Sequence, residues 1–437
     1  MISQSEFKKR RQKLMQMLDK NSIAIIPTAN EKTRNRDSEY PFRPDSDFIY
    51  LTGFNEPESV AVFIPEKKSG KFVLFCRERN PKMEIWNGRR AGLDGAQKEY
   101  GADEAYPISD MDEVLPTLLE NRERVYYTIG NDEFFDKRLT EWINKVRRKA
   151  RMGILAPQEF VSLEPFIHEM RLFKSNSEVK TMRQAAKISA EAHIKAMQAC
   201  KPGMREHAVE AELSYTFTKY GCPPAYSSIV GAGENGCILH YTENDAELSD
   251  GHLLLIDAGA ELNYYASDIT RTFPVNGVFT PEQKTIYEIV LKAQIAAIKK
   301  VKPGNHWNQP HDAAVRELTK GLIDIGILKG DLKELIKNNA YQDYYMHRTG
   351  HWLGMDVHDV GDYKINGKWR KLEPGMVLTV EPGLYIAANS KGVNKKWWDI
   401  GIRIEDDVLV TEDGFDVLSK DTPKTVTEIE NVMSQNA

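Results

Sequence analysis

The chain has 437 residues, 41% of them hydrophobic and 28% charged, a balance ordinary for a globular protein and incompatible with global disorder. It carries 59 Lys and Arg against 64 Asp and Glu, a formal charge of −5, so nothing electrostatic favours nucleic acid or an anionic membrane as partner. No stretch approaches the ~20 apolar residues of a membrane span.

The N-terminus reads as an amphipathic helix with Phe7, Leu14, Met15 and Leu18 inward. Its basic run, Lys8 to Arg11, lacks the apolar core and cleavage site of a signal peptide, so a surface helix is preferred to a targeting segment. Residues 22–26 and 71–75 read as buried strands, with helices between them. Residues 152–164, with Pro157, read as a linker, which divides the chain into an α/β domain over 1–172 and a second domain over 173–437. Cys76, Cys200, Cys222 and Cys237 form no CxxC pair, which argues for reduced thiols and a cytoplasmic protein.

A long helix is expected from Ser175 or Asn176 as N-cap to Lys201-Pro202-Gly203. A second runs from Thr280-Pro281 to Lys302-Pro303-Gly304. Each is followed by another helical stretch, near Val209–Leu213 and Val315–Leu318. The strand Gly251–Gly259 then matches Gly375–Gly383: glycine, five mostly apolar residues, a carboxylate, one residue, glycine. Two related halves facing each other would bring Asp257 and Glu381 together.

After Asp257, a turn at Glu261-Leu262-Asn263 and a strand from Tyr264 to Phe273 would place Asp268 beside it. Glu405 falls in an apparent continuous strand from Ile400 to Val410, on the face opposite Ile400, Ile402 and Ile404. Four carboxylates on buried-type strands demand compensation, and divalent cations supply it. A nitrogen ligand is at hand in the run that holds His347, His351 and His358, where glycines at 350 and 354 permit close approach. His240 stands in another glycine-rich segment. Asp359, Asp406 and Asp407 are read as structural.

At these residues the sequence resembles the metallopeptidase family with the pita-bread fold, and within it the aminopeptidase P group. The family pattern of Asp, Asp eleven residues on, His, Glu in V-E-P-G and Glu in I-R-I-E-D is met by Asp257, Asp268, His351, Glu381 and Glu405. N-terminal stretches also resemble that group: residues 37–43, 46–48, 51–57 and 84–90, together with 168–175. One departure is Arg348, where the family often has a small residue.

The resemblance implies an α+β chain: an N-terminal α/β domain for oligomerisation and substrate access, then a duplicated pita-bread catalytic domain. It implies two divalent metal ions, manganese first among them, held by those five residues and bridged by a water or hydroxide as nucleophile. It implies release of the N-terminal residue from peptides with proline second, by a homo-oligomer, dimer or tetramer. Glu381 would also be general base, His358, His240 and His347 would serve the tetrahedral intermediate, and Arg403 would keep Glu405 ionised with Tyr385 in the same relay. Trp86 and Tyr226 are candidate apolar walls near proline, Trp86 having a core residue as its rival reading. A prolidase acting on dipeptides only, and a non-catalytic peptide-binding module of the same fold, remain the alternatives.

Overall fold

The computed structural model of the chain describes residues 2–65 and 70–435. These fall into two compact units, Ile2–Met170 and Arg171–Ala437.

The first unit is built on a six-stranded sheet in the order 104–107, 71–76, 60–64, 22–27, 124–126, 159–161. Strand 60–64 runs antiparallel to both neighbours, and the remaining pairings are parallel. The uninterrupted apolar runs Ile23–Ile26 and Phe72–Cys76 are fully buried, as expected for strands covered on both faces. The stretch expected to be a linker is partly an edge strand, since Glu159–Val161 pairs with Arg124–Tyr126. Three residues are too few to show a period in sequence.

The helix Gln4–Met17 buries Leu14 and Met15. Its basic run is not a plain surface: Arg10 and Arg11 are buried and donate to the carbonyls of Tyr50 and Leu51, closing the end of another helix. Their guanidinium groups also cover the rings of Tyr50 and Phe72.

The second unit repeats one plan twice. Helices Asn176–Ala199 and Glu206–Lys219 precede an antiparallel sheet ordered 270–274, 253–257, 229–232. Helices Pro281–Ile298 and Asn308–Asp324 precede a sheet ordered 377–380, 406–410, 415–417 and a strand pair, 383–386 with 400–403. Both leading helices start in a capping box, Ser175 with Glu178 and Thr280 with Gln283, which satisfies amide donors that the helix leaves open. The apolar faces of the four helices pack with the sheet 229–274 and the pair 383–386 and 400–403 as the main core, while Leu378, Val380, Val408 and Val410 belong to a second cluster with Trp307 and Trp352.

The seam between the halves is hydrogen-bonded. The Glu405 amide donates to the Thr270 carbonyl (3.1 Å), and the Thr272 hydroxyl donates to the Arg403 carbonyl (3.1 Å). This seam breaks the strand expected to run unbroken from Ile400 to Val410. The chain changes partners at Ile404–Glu405, from the strand at 383–386 to the strand at 377–380. Alternation of side chains cannot reveal such a change, because both segments remain extended.

Candidate active site and metal centre

The acidic residues stand at strand ends and breaks, where the chain can aim a side chain out of the sheet. Asp257 closes the strand Leu253–Asp257 and lies opposite Thr270 in register. Asp268 precedes the strand Thr270–Pro274 rather than lying within it, after a two-residue hairpin whose turn is Asn263–Tyr264, both at positive φ. Gly259 makes this folding-back possible: a Cβ there would lie 1.7 Å from the Ser267 carbonyl oxygen. The two aspartates do end side by side, for the Tyr226 hydroxyl is 2.6 Å from Oδ1 of each. Tyr226, expected as an apolar wall, lines the site cavity and also bridges the two acids through its hydroxyl.

His351 reaches Asp268 Oδ2 through Nε2 (3.2 Å) and lies 3.8 Å from Glu381 Oε1. Its Nδ1 is 2.9 Å from the Trp352 carbonyl oxygen, which can only accept, so the proton sits on Nδ1 when the ring is neutral. That leaves the Nε2 lone pair facing the acids, the tautomer a metal needs. Gly350 sets the approach, since a Cβ there would lie 2.0 Å from the Thr379 carbonyl oxygen. Glu405 Oε2 accepts from the Thr270 hydroxyl (2.6 Å). Asp407 accepts the Asp268 amide, and buried Asp406 pairs with Arg271 and Lys424. Both support the site from behind, whereas Asp359 is buried in a separate pairing with Arg171 and Lys174.

The electrostatics of this cluster are unfavourable as they stand. Burial raises the carboxyl of Asp257, against the pull of Arg403, and Asp268 adds to the rise. Burial also pushes Glu405 well up, reinforced by Asp268, Glu381 and Asp257. Glu381 is carried up to about 7, first by burial, with His351 and Arg403 opposing. Burial alone would lower His351, but its bond to Asp268 and the nearby charges carry it to about 9. One phenolic hydrogen on Tyr226 faces two carboxylate oxygens, so one contact lacks a donor. Oxygen-rich, acidic and supplied with one imidazole, the donor set fits a divalent cation. Donor atoms of Asp268, His351 and Glu405 all lie within 4.8 Å of one another and form a candidate metal-binding group.

A cavity of about 1000 Å³ opens on this cluster. Asp257, Asp268, His351, Glu381, Glu405, Arg403, Tyr226, His240, His347 and His358 all line it. His358 and His240 are exposed in it, and the ring of His358 stands edge-on to His351 at 4.3 Å. Arg403 turns out to pair directly with Asp257 (2.6 Å) and not with Glu405. From Arg403 a chain runs outward: Arg403 donates to the Tyr385 hydroxyl (3.0 Å), and Tyr385 donates to His347 Nε2 (2.8 Å). His347 Nδ1 faces the Arg348 carbonyl at 2.8 Å, and burial lowers this ring to about 3, which keeps it neutral. Trp86 belongs to the first unit, on the helix Pro81–Asn87, and at 84% exposure it is not a core residue. Thr270 was missed by the sequence reading. Its one signal is its place opposite Asp257 in the hairpin.

The comparisons with known proteins agree with this geometry. Residues 180–412 match the model of metallopeptidase family M24, and residues 7–126 match the aminopeptidase P N-terminal domain. The chain belongs to metallopeptidase family M24. It is similar to the Xaa-Pro aminopeptidase of Escherichia coli (strain K12), 47% identical over 434 residues, covering 99% of this chain and 98% of that protein. It is also similar to the solved structure of aminopeptidase PepP from Pseudomonas aeruginosa (57% identity, TM-score 0.98, 100% of this chain and 99% of that one). Proline aminopeptidase P II from Yersinia pestis follows at 47% identity and TM-score 0.97, with both chains fully covered. Fold, site and kinship together make the chain an enzyme, a metal-dependent aminopeptidase. Among the described residues no helix is long and apolar enough to cross a membrane.

Proposed function

We propose that this enzyme releases the N-terminal residue from peptides with proline in second position, using two divalent cations held by Asp257, Asp268, His351, Glu381 and Glu405. The observation that carries this reading is the convergence of four carboxylates and one imidazole on a single cavity. Manganese suits this oxygen-rich set with one nitrogen. Bound there, the cations would supply Lewis acidity, polarising the scissile carbonyl and drawing the pKa of water from about 15.7 toward about 7.

The chain's own groups do the rest. Glu381 is the general base: placed on the cavity wall, it takes the water proton and returns it to the proline nitrogen as that leaves. Arg403 donates to Asp257 and opposes the rise that burial imposes on its carboxyl. The Arg403–Tyr385–His347 chain fixes the His347 ring beside Glu381, 3.6 Å from Oε2. His240 and His358, exposed on the lining, are placed to donate to the carbonyl oxygen as charge develops. An Xaa-Pro bond offers no amide hydrogen, so a site for it must rely on such contacts to the carbonyl and to the free N-terminus.

The test is metal content with hydrolysis. Asp257→Ala and Glu405→Ala proteins should bind less manganese than the parent, and the parent should free arginine from Arg-Pro-Pro. Cleavage of Gly-Pro alone would make the enzyme a prolidase, and unchanged metal content in both variants would refute the site. We further propose a cytoplasmic homo-oligomer. Ile85 and Trp86, 82% and 84% exposed on one helix turn, support the association, which light scattering would measure.

A further inference from the structure

The cavity carries more than its acidic cluster. Trp307, Tyr363, Lys364, Trp369 and Arg348 form another part of its lining. The aromatic rings are interlocked. Trp307 lies 4.1 Å from Trp352 and 4.6 Å from Tyr363, and Tyr363 stacks on Trp352 at 5.6 Å. The Tyr363 hydroxyl accepts the Trp352 amide (3.2 Å). This block braces the short hairpin 364–369, whose turn residues Asn366 and Gly367 both have positive φ.

Trp369 on that hairpin gathers two cations. The Lys364 ammonium is 4.3 Å from its ring centre and the Arg348 guanidinium 5.3 Å. Arg348 also donates to the Asn308 side chain. Both cations are exposed, and among the described residues neither has a carboxylate within ion-pair distance. Cation–π attraction holds each in place, but it leaves their charge uncompensated and their N–H groups available. Two like charges on one ring are poised for an anion, and the planar fork of Arg348 suits a carboxylate.

The substrate's own charges say which carboxylate. The N-terminal ammonium of a peptide is repelled by these cations and attracted to the acids that line the same cavity. The negative groups of a peptide are its C-terminal carboxylate and its acidic side chains. We propose that Arg348 and Lys364, braced on Trp369, form an anion-recognition subsite for a substrate carboxylate downstream of the scissile Xaa-Pro bond. That carboxylate is either the C-terminus of a short peptide or an Asp or Glu side chain of a longer one. The inference rests on the Xaa-Pro reading.

The experiment compares kcat/KM for Ala-Pro-Ala, Ala-Pro-Ala-amide, Ala-Pro-Glu-amide and Ala-Pro-Gln-amide. The proteins are the manganese-loaded parent, the Arg348→Gln/Lys364→Gln double variant and Arg348→Glu. The parent should favour the charged member of at least one pair, acid over amide or Glu over Gln, by about two- to fivefold, the range of an exposed ion pair. Whichever pair responds identifies the source of the carboxylate. The preference should fall to parity in the double variant, invert in Arg348→Glu, shrink at high salt and reside in KM. Hydrolysis of the amides with ratios equal across all three proteins would overturn the subsite alone. No hydrolysis of any Xaa-Pro peptide by the parent would overturn the Xaa-Pro reading and the subsite with it.

Discussion

Replacing Glu381 by Gln should have opposite effects on the metal-free and metal-loaded enzyme. In the metal-free fold the Glu381 carboxyl is raised from 4.5 to about 7. The folded protein therefore keeps this proton to higher pH than the unfolded chain does. Stability falls as pH climbs through that window, and the full cost is present above it. At 1.36 kcal/mol per unit, the cost is at most about 3 kcal/mol. Glutamine has the same shape and no charge, so the EDTA-treated variant should melt up to roughly 5 °C above the EDTA-treated parent at pH 8. The difference should close at pH 4.5, where both proteins hold a neutral side chain. With manganese present the order should reverse, because the parent gains RT ln(1 + [L]/Kd) and the variant has lost a ligand. Differential scanning of both proteins at pH 4.5 and 8, with EDTA and with manganese, reads all four states. A metal-free variant that melts below the parent at pH 8, or a difference that ignores pH, would show that Glu381 is not held against its preference and would undo the argument for a cation there.

Other outcomes follow from single contacts. Tyr226→Phe removes the hydroxyl shared by Asp257 and Asp268, and manganese affinity measured by titration should fall about 10- to 100-fold, the usual effect of losing a group that orients ligands. Gly350→Ala puts a Cβ 2.0 Å from the Thr379 carbonyl oxygen, so the segment bearing His351 must shift; metal content and activity should drop together while circular dichroism stays near the parent's. Asp359→Ala leaves the Lys174 ammonium buried without its carboxylate and removes one of the two acids on Arg171, the other being Asp356, and should destabilise the fold by about 3–5 kcal/mol in urea titrations. Burial opposes ionisation of Asp359, but Lys174 and Arg171 lower its carboxyl below 3.8; its contribution is present above that pH and lost as pH falls through the folded value, so parent and variant should converge in acid.

The helix starts were legible because Ser175 and Thr280 carry their capping partners three residues on, a local signal. The convergence of Asp257, Asp268, His351, Glu381 and Glu405 on one cavity was legible because their spacing resembles a known pattern, and His351 and Asp268 meet at 3.2 Å. What escaped the sequence depends on long-range partners. Whether Arg403 serves Glu405 or Asp257 turns on the seam between two halves, 146 residues apart in the pair that forms. The break at Glu405 has the same origin, a change of neighbour in an extended chain. Tyr226 looked like an apolar wall because a phenol ring reads as hydrophobic until its hydroxyl is seen to touch two acids. Arg10 and Arg11 are buried because backbone carbonyls at a helix end await them.

Asp257 and Asp268 come from one repeat, and His351, Glu381 and Glu405 from the other. In the proposed site, full coordination would therefore draw on both repeats. Under the proposed ligand set, cofactor capture becomes a checkpoint on assembly: docked repeats would complete the coordination, and a bound ion would rivet them together. Stripping it should loosen the joint first, making the strands on either side of it the earliest backbone to exchange hydrogen or to admit a protease.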